Sequence, residues 1–294
     1  MNYYNEIKEN LINNEVYKAV KDYSKNKSDL ETYYKVGKLL SEAGKHYGEG
    51  IIKEYSAKLT GELGKKYNIT TLKRIRQFYL LIEKGAPLAH QLSWSNYCEI
   101  LPLKNINEIK YYINLCITQN LTKMAVRTRI KSQEYERLSE ETKTKLINQE
   151  KPNIKDLVPS PIIIKNKNNI NIINEKLLHQ LILENILSFM KELGNGYSFI
   201  DSEYKIKFEN NYNFIDLLLF NIKFNCYVVI ELKVTELKKE YIGQITLYMN
   251  YIDKNVKALN HDKTIGIIIV KKNNKFVMEY CSDPRIIARE YIIC

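Results

Sequence analysis

The sequence predicts an α+β protein, with a helical N-terminal domain followed by a layered α/β C-terminal domain. Residues 1–150 repeat their apolar side chains at spacings of three and four, which is the period of a helix. After residue 170, short apolar runs alternate with asparagine-rich turns, a pattern typical of strands. A chain of 294 residues is long enough for two domains. We expect them at 1–147 and 171–294, joined by a proline-rich linker over 148–170.

Caps and glycine breaks mark the helices of the N-terminal domain. Serine, threonine and asparagine at a helix start accept hydrogen bonds from the first free backbone N–H groups. The predicted helices are 30–40, then 51–63 after glycines 44, 48 and 50, then 72–84 capped by Thr70-Thr71, a short helix between Ser93 and Pro102, 105–118, and 125–136 after Thr122.

The C-terminal domain is predicted to contain a helix, several strands, a second helix and further strands. The first helix covers Glu175–Leu193 and ends at the Gly194-Asn195-Gly196 break. The predicted strands are Tyr197–Ile200, Tyr204–Phe208, Phe214–Phe220, Cys226–Val234, Thr264–Val270 and Phe276–Tyr280, with a helix over about 238–254.

Charge and composition narrow the classes of function. The formal net charge is +11, and residues 51–131 hold 14 Lys and Arg against 5 Asp and Glu. A basic surface favours polyanions such as nucleic acid, although surplus lysine also serves solubility. Five widely spaced cysteines without a CxxC pair argue against a disulfide framework or a zinc site. No apolar run approaches the ~20 residues of a membrane span, and no secretory signal is visible, so we expect a cytoplasmic protein.

Three charged residues interrupt two apolar strands. Asp216 lies within Phe214–Phe220, and Glu231 and Lys233 lie within Cys226–Val234, two positions apart and therefore on one face. A hairpin between these strands would bring all three together. Burying two carboxylates costs several kcal/mol unless they are compensated, and Mg²⁺ or Mn²⁺ would compensate them. The structural alternative is a buried Glu231–Lys233 salt bridge beside a turn-capping Asp216.

Two flanking residues are candidates to complete such a site. Glu184 lies in the apolar run of the first helix, where its carboxylate would be a third metal ligand; the alternative is a solvent-facing position. Gln244 lies on the helix after the second strand, where its amide would bond a phosphate or hold a ligand. Tyr248 follows Gln244 by four positions on the same helix face, and core packing is its expected role.

These motifs carry a family resemblance. About 175–285 resembles the PD-(D/E)XK nuclease domain of the YhcG (DUF1016) family, and about 28–138 resembles the family's N-terminal domain. The resemblance implies a winged-helix-like domain that binds nucleic acid, followed by a restriction-endonuclease-like domain. Members of the family occur in bacteria and archaea, often near restriction–modification, defence or mobile elements. One departure is Ser202-Glu203, where similar proteins usually carry Arg-Gln before the tyrosine of the second strand. The matching segments are Phe214–Leu218, Val229–Lys233, Gly243–Tyr248, Lys73–Tyr79, Gln91–Tyr97 and Ser132–Leu138.

The sequence therefore predicts a Mg²⁺-dependent endonuclease that hydrolyses phosphodiester bonds, with DNA favoured over RNA as its partner. Asp216, Glu231 and Glu184 would hold the metal, and Lys233 and Gln244 would complete the catalytic set. The alternative function is a nucleic-acid-binding adaptor of a defence or restriction complex, with an inert nuclease fold. A homodimer is compatible with cutting two strands. Two basic clusters are candidates for phosphate contacts, Lys73, Arg74 and Arg76 in one and Arg127, Arg129 and Lys131 in the other.

Overall fold

A computed structural model describes residues 3–20, 25–148, 150–166, 169, 174–208 and 211–294. The chain divides into two compact units, Met1–Tyr135 and Glu136–Cys294. The first unit is helical, as predicted, and its described residues form no strand. Its elements are α1 (Tyr3–Val20), α2 (Lys25–Tyr47), α3 (Ile51–Leu63), a 3₁₀ turn (Lys65–Tyr67), α4 (Ile69–Glu83), α5 (Trp94–Ile100), α6 (Ile106–Gln119) and α7 (Lys123–Lys131).

Helices α2 and α4 form the centre of the helical unit because a glycine lets them approach closely. A Cβ added at Gly37 would lie 2.6 Å from both the carbonyl oxygen of Ile75 and the Cβ of Tyr79. The apolar stripes of the two helices, including Val36 and Leu40, are fully buried between them and α1 and α3. Trp94 is partly buried and packs against this core.

The caps of the helical unit match the predictions at two of three places. Ser93 accepts a hydrogen bond from the N–H of Asn96, and Thr122 accepts one from the N–H of Ala125. The predicted Thr70-Thr71 cap is wrong. Asn68, which has extended backbone, accepts from the N–H of Thr71, so the helix already begins at Ile69. Asparagine is at least as good an N-cap as threonine, and Asn68, which comes first in the chain, caps the helix.

The second unit contains one mixed sheet with helices on both faces. Its strands are β1 (Ile162–Ile164), β2 (Tyr197–Phe208), β3 (Asn211–Asn221), β4 (Cys226–Glu236), β5 (Ile265–Lys272) and β6 (Ile286–Ile293). Its helices are α8 (Glu140–Ile147), α9 (Ile154–Leu157), α10 (Glu175–Glu184), α11 (Ile186–Leu193), α12 (Lys239–Asn255) and α13 (Lys275–Glu279). The strand order is β1-β6-β5-β4-β3-β2. Strands β2, β3 and β4 pair antiparallel, whereas β4, β5, β6 and β1 run parallel.

The central strands are apolar on both faces because both faces are covered. Ile230 and Leu232 of β4 pack with α10 and α11, whereas Val229 packs with α12 on the other side. The same division applies to β5, which explains the uninterrupted run Ile267–Val270. A charged residue in such a strand is therefore largely shielded from water.

Three predicted segments of this unit differ from the structure. The 148–170 segment is not simply a linker, since its described residues include α9 and the edge strand β1. The predicted strand Phe276–Tyr280 is wrong, because Asn274 caps the short helix α13 there, and β6 was missed. The predicted single helix over 175–193 breaks at Asn185 into α10 and α11. In the described part of the chain, no helix has the length and apolarity needed to span a membrane.

Candidate active site

Strands β3 and β4 separate at the point where the charged residues begin. Their pairing runs from Asn221–Cys226 to Leu217–Ile230, so the next two residues, Asp216 and Glu231, lie where the strands fork. Asp216 is fixed at this fork from two directions. Its Oδ2 accepts a 2.7 Å hydrogen bond from the N–H of Leu232, and its backbone carbonyl accepts a 3.0 Å bond from Nε2 of His179 on α10.

Glu231 is buried, and its charge is only half satisfied. The residue is 1% exposed. One carboxylate oxygen, Oε2, lies 3.4 Å from Nζ of Lys233. The other, Oε1, is buried without a hydrogen-bond partner among the described residues. A buried acceptor without a partner is rare in a folded protein, and it indicates that this oxygen binds a group other than a protein side chain.

Lys233 links the two carboxylates of the strands to a third one on α10. Its Nζ lies 3.3 Å from Oε2 of Glu175 and 5.3 Å from the ring centroid of Tyr241. Burial alone would lower the pKa of Lys233, but Glu231, Glu175 and Asp216 together raise it. The ammonium is therefore held in its charged form.

The two strand carboxylates are electrostatically unfavourable together. Burial and the neighbouring Asp216 together raise the pKa of Glu231 to about 8, although Lys233 opposes the shift. Burial also raises the pKa of Asp216, although the bond from the Leu232 N–H and the charge of Lys233 oppose it. A single ammonium does not balance two ionised carboxylates in this setting, so an additional cation would stabilise them.

The donor set fits a hard divalent cation. Asp216 and Glu231 offer carboxylate oxygens, and none of the residues that the structure describes donates a hydrogen bond to Oε1 of Glu231. Within the described residues, no group of three His, Cys, Asp or Glu side chains is arranged to hold a metal. Mg²⁺ commonly binds to one or two carboxylates and takes its remaining ligands from water and substrate phosphates. Two protein carboxylates at an open fork match that pattern.

Gln244 borders the site through its tyrosine neighbour. Its Nε2 donates a 3.0 Å hydrogen bond to the hydroxyl of Tyr248. Tyr248 is 3% exposed and packs in the apolar core between α12 and the sheet, as expected. Burial raises the pKa of Tyr248, the bond from Gln244 lowers it, and the negative charges of Glu231 and Asp216 raise it further. The Gln244–Tyr248 pair therefore lies beside the carboxylates without belonging to the donor set.

The structure does not bring Glu184 to this group. Glu184 is exposed, and its Oε1 accepts a 3.1 Å hydrogen bond from Gln180. Glu175 takes the helix position next to Lys233 instead. The two glutamates are nine positions apart on α10, which separates them by about 13 Å and half a turn. The sequence signal that favours Glu175 is its place in the first turn, on the same face as His179 one turn later.

The basic candidates of the helical unit fall into two groups. Lys73, Arg74 and Lys131 are exposed. The other three are engaged by carboxylates, in the pairs Arg76–Glu49, Arg127–Glu99 and Arg129–Glu134. A paired arginine offers less charge to a phosphate than the sequence alone suggests.

A surface pocket of about 370 Å³ surrounds one of these pairs. Nη2 of Arg76 lies 2.8 Å from Oε1 of Glu49, and Lys73 also lines the pocket. Glu49 is 72% exposed, whereas Arg76 is only 21% exposed and its buried Nε has no hydrogen-bond partner among the described residues. Arg76 lowers the pKa of Glu49, which keeps the pair ionised.

A mixed sheet with an aspartate on one strand and a Glu-x-Lys pair on the next defines the PD-(D/E)XK class of nuclease domain. Two family models match this chain. The "DUF1016 N-terminal domain" covers residues 7–137, and the "YhcG PDDEXK nuclease domain" covers residues 155–292. The chain belongs to the YhcG (DUF1016) family, and its second unit has the fold of the family's nuclease domain.

Individual relatives are distant. "Putative nuclease YhcG" of Escherichia coli (strain K12) is 21% identical over 282 residues, which cover 81% of this chain and 75% of that protein. Among solved structures, a repair endonuclease from Pyrococcus abyssi matches 42% of this chain and 48% of its own at 17% identity. An EndoMS–dsDNA2 complex matches 44% of this chain and 48% of its own at 16% identity. Both structural matches have a TM-score of 0.30.

Proposed function

We propose that this protein is an endonuclease that hydrolyses phosphodiester bonds of DNA with the help of Mg²⁺ or Mn²⁺. The observation that carries the proposal is Oε1 of Glu231, which is buried, has no hydrogen-bond partner in the described part of the chain and lies beside a second carboxylate. A divalent cation between Asp216 and Glu231 would satisfy that oxygen and balance both charges. The nuclease domain of the family agrees with this chemistry.

Each residue of the site then has a distinct role. Asp216 and Glu231 hold the cation, which when bound supplies the charge that ionises a water and neutralises the phosphate. The N–H of Leu232 and the imidazole of His179 fix the position of Asp216. The ammonium of Lys233 orients the attacking water or stabilises charge on the phosphate oxygens.

The helical unit supplies contacts to the substrate backbone in this proposal. Lys73, Arg74 and Lys131 are exposed and available to phosphates. Arg76, Arg127 and Arg129 join them by exchanging a carboxylate partner for a phosphate. A homodimer would supply the two active sites that cleavage of both strands requires. The DNA substrate would be encountered in defence or in the biology of mobile elements.

Cleavage assays with purified protein test the proposal directly. Plasmid, linear duplex and single-stranded DNA are incubated with Mg²⁺, with Mn²⁺, and with EDTA. The informative variants are Asp216→Asn, Glu231→Gln and Lys233→Gln. The matched control is Asp262→Asn. Asp262 is an exposed residue shortly before β5, and its backbone N–H donates a hydrogen bond to the carbonyl of Asn225.

We expect metal-dependent cleavage by the parent and by Asp262→Asn, and its loss in the three site variants with folding retained. The losses are expected at about 10²-fold or more, because each residue removed acts on charge that develops in the transition state. Cleavage that persists in EDTA, or that survives all three substitutions, would refute the assignment. Salt-sensitive DNA binding without any cleavage would favour the adaptor function instead.

A further inference from the structure

A two-stranded arm extends past the fork between β3 and β4. Residues 211–216 of β3 have left β4, whose pairing with β3 begins only at Leu217. They still pair with β2, in the register Lys205–Phe214 and Lys207–Tyr212. We call residues 204–208 and 211–215 the arm. Along β3, the arm leads directly into Asp216.

The two faces of the arm have different surroundings. On one face, Ile206 is 1% exposed, Tyr204 packs against the same core, and the ring of Phe208 lies 5.3 Å from that of Tyr251 on α12. This face anchors the arm to α12. The other face therefore keeps a fixed position while it remains open to solvent.

The open face combines aromatic rings and lysines. Tyr212 is 53% exposed and Phe214 is 51% exposed. Lys205 and Lys207 are also exposed, and their Nζ atoms lie 3.8 Å and 6.0 Å from the ring centroid of Tyr212. Rings interleaved with cations on a strand surface match the chemistry of an unpaired nucleic-acid strand, whose bases stack on rings while its phosphates contact cations.

The arm is continuous with the candidate active site. Phe214 precedes Asp216 by two residues on the same strand, a distance of about 7 Å along the strand. At about 3.4 Å per nucleotide of a stacked strand, the ring lies about two nucleotides from a phosphate at Asp216. The strand opposite Asp216 is irregular, because Glu203 has a left-handed backbone with φ of 51°.

We infer that the open face of the arm binds an unpaired segment of the substrate strand next to the cleaved phosphate. Tyr212 and Phe214 stack on its bases, and Lys205 and Lys207 contact its phosphates. The inference rests on the proposed nuclease function and adds a substrate class to it. Bases within a duplex are stacked on one another and present no free face to these rings, so the segment is single-stranded, flapped or mismatched.

Fluorescence anisotropy in EDTA tests the arm without relying on cleavage. The probes are a fluorescein-labelled single-stranded DNA oligonucleotide and the fully paired duplex of the same sequence, with the full-length chain. The test variant carries Tyr212→Ser with Phe214→Ser. The matched control carries Phe276→Ser with Tyr280→Ser, since these rings on and just after α13 are 68% and 74% exposed. Circular dichroism and the unfolding temperature establish that both variants are folded.

We expect the arm variant to lose affinity for the single strand by about tenfold per ring, while its affinity for the duplex and the control variant's affinities stay within about twofold of the parent. A second variant, Lys205→Gln with Lys207→Gln, tests the same face without touching the rings. It is expected to reduce the slope of log affinity against log salt for the single strand by ~1.4, the value for two lost phosphate contacts.

The outcomes separate this inference from the nuclease proposal. If both arm variants bind the single strand as tightly as the parent, the arm inference is wrong even when the parent cleaves DNA. Equal losses on single strand and duplex would also overturn it, since stacking on unpaired bases would not be the cause. If the parent never cleaves but the arm variants lose single-strand affinity selectively, the arm inference holds and the nuclease proposal fails.

Discussion

Replacing Glu231 by glutamine is expected to stabilise the metal-free protein while abolishing its function. The substitution keeps the size and shape of the side chain and removes its charge. Glu231 is 1% exposed and its Oε1 has no hydrogen-bond partner among the described residues, so the ionised form is poorly accommodated.

The size of the effect follows from the raised pKa. The pKa of Glu231 is about 8 in the folded protein, against a reference value of 4.5, because burial and Asp216 disfavour its charged form. Since one pKa unit corresponds to about 1.4 kcal/mol, the folded state at pH 7 is penalised by about 3 kcal/mol. That pKa already includes the attraction to Lys233, and glutamine is neutral like the protonated carboxyl, so the gain in unfolding free energy is expected at about 1–3 kcal/mol.

The penalty depends on pH in a defined direction. Below pH 4.5 the carboxyl is protonated in both the folded and the unfolded state, so it contributes no penalty. The penalty grows as pH rises from 4.5 towards 8, because the unfolded chain releases the proton more readily than the folded protein. The stability difference between Glu231→Gln and the parent is therefore expected to widen across that range and then to level off.

Urea unfolding in EDTA at pH 5, 7 and 8 measures this difference. Circular dichroism is the appropriate signal, because Trp94, the only tryptophan, reports on the helical unit alone. Addition of Mg²⁺ or Mn²⁺ should raise the stability of the parent and leave that of the variant unchanged. A variant that is equally or less stable than the parent in EDTA at pH 8 would refute the reasoning about the buried charge.

Three further substitutions have defined outcomes. Glu49→Gln releases Arg76 for phosphates and should tighten DNA binding about two- to tenfold in anisotropy titrations at low salt; weaker binding would contradict this role. Glu175→Gln removes a carboxylate partner of Lys233, so cleavage should fall measurably, whereas an unchanged rate would exclude Glu175 from the site. Gly266→Ala places a Cβ 2.8 Å from side-chain atoms of α12, which should lower the free energy of unfolding by about 1–3 kcal/mol in urea titrations; a neutral result would show that the helix can shift.

The sequence was sufficient for the centre of the site. Asp216, Glu231 and Lys233 interrupt strands that are otherwise apolar on both faces, and this contrast locates them without any long-range information. Their convergence then requires only a hairpin, which is a local connection. The alternation of side chains along β4 places Glu231 and Lys233 together, and the structure brings both to Asp216 at the fork.

The surroundings of the site depend on distant pairings that the sequence does not display. Glu175 and Glu184 lie on one helix, and only its phase and its end at Asn185 decide which of them meets Lys233. Two of the arginine–carboxylate pairs also join residues that are distant in the sequence. Arg76 and Arg127 contact Glu49 and Glu99, which lie 27 and 28 positions away in the chain. A count of the lysines and arginines in a sequence segment therefore overestimates the positive charge that is available to bind a phosphate.

Strand β1 is also a long-range feature, because it pairs with the far end of the chain. The N–H of Cys294 donates to the carbonyl of Ile164 at 3.0 Å, and the N–H of Asn166 donates to the carbonyl of Cys294 at 2.7 Å. Arg289 adds hydrogen bonds of 2.9 Å to the carbonyls of Lys155 and Val158.

A recombinant fragment that begins after this segment would leave the outer edge of β6 without its partner. An unpaired apolar edge recruits strands from other molecules, so such a fragment should aggregate on expression. A fragment that starts before α8 keeps the edge protected and is the better choice for isolating the nuclease unit.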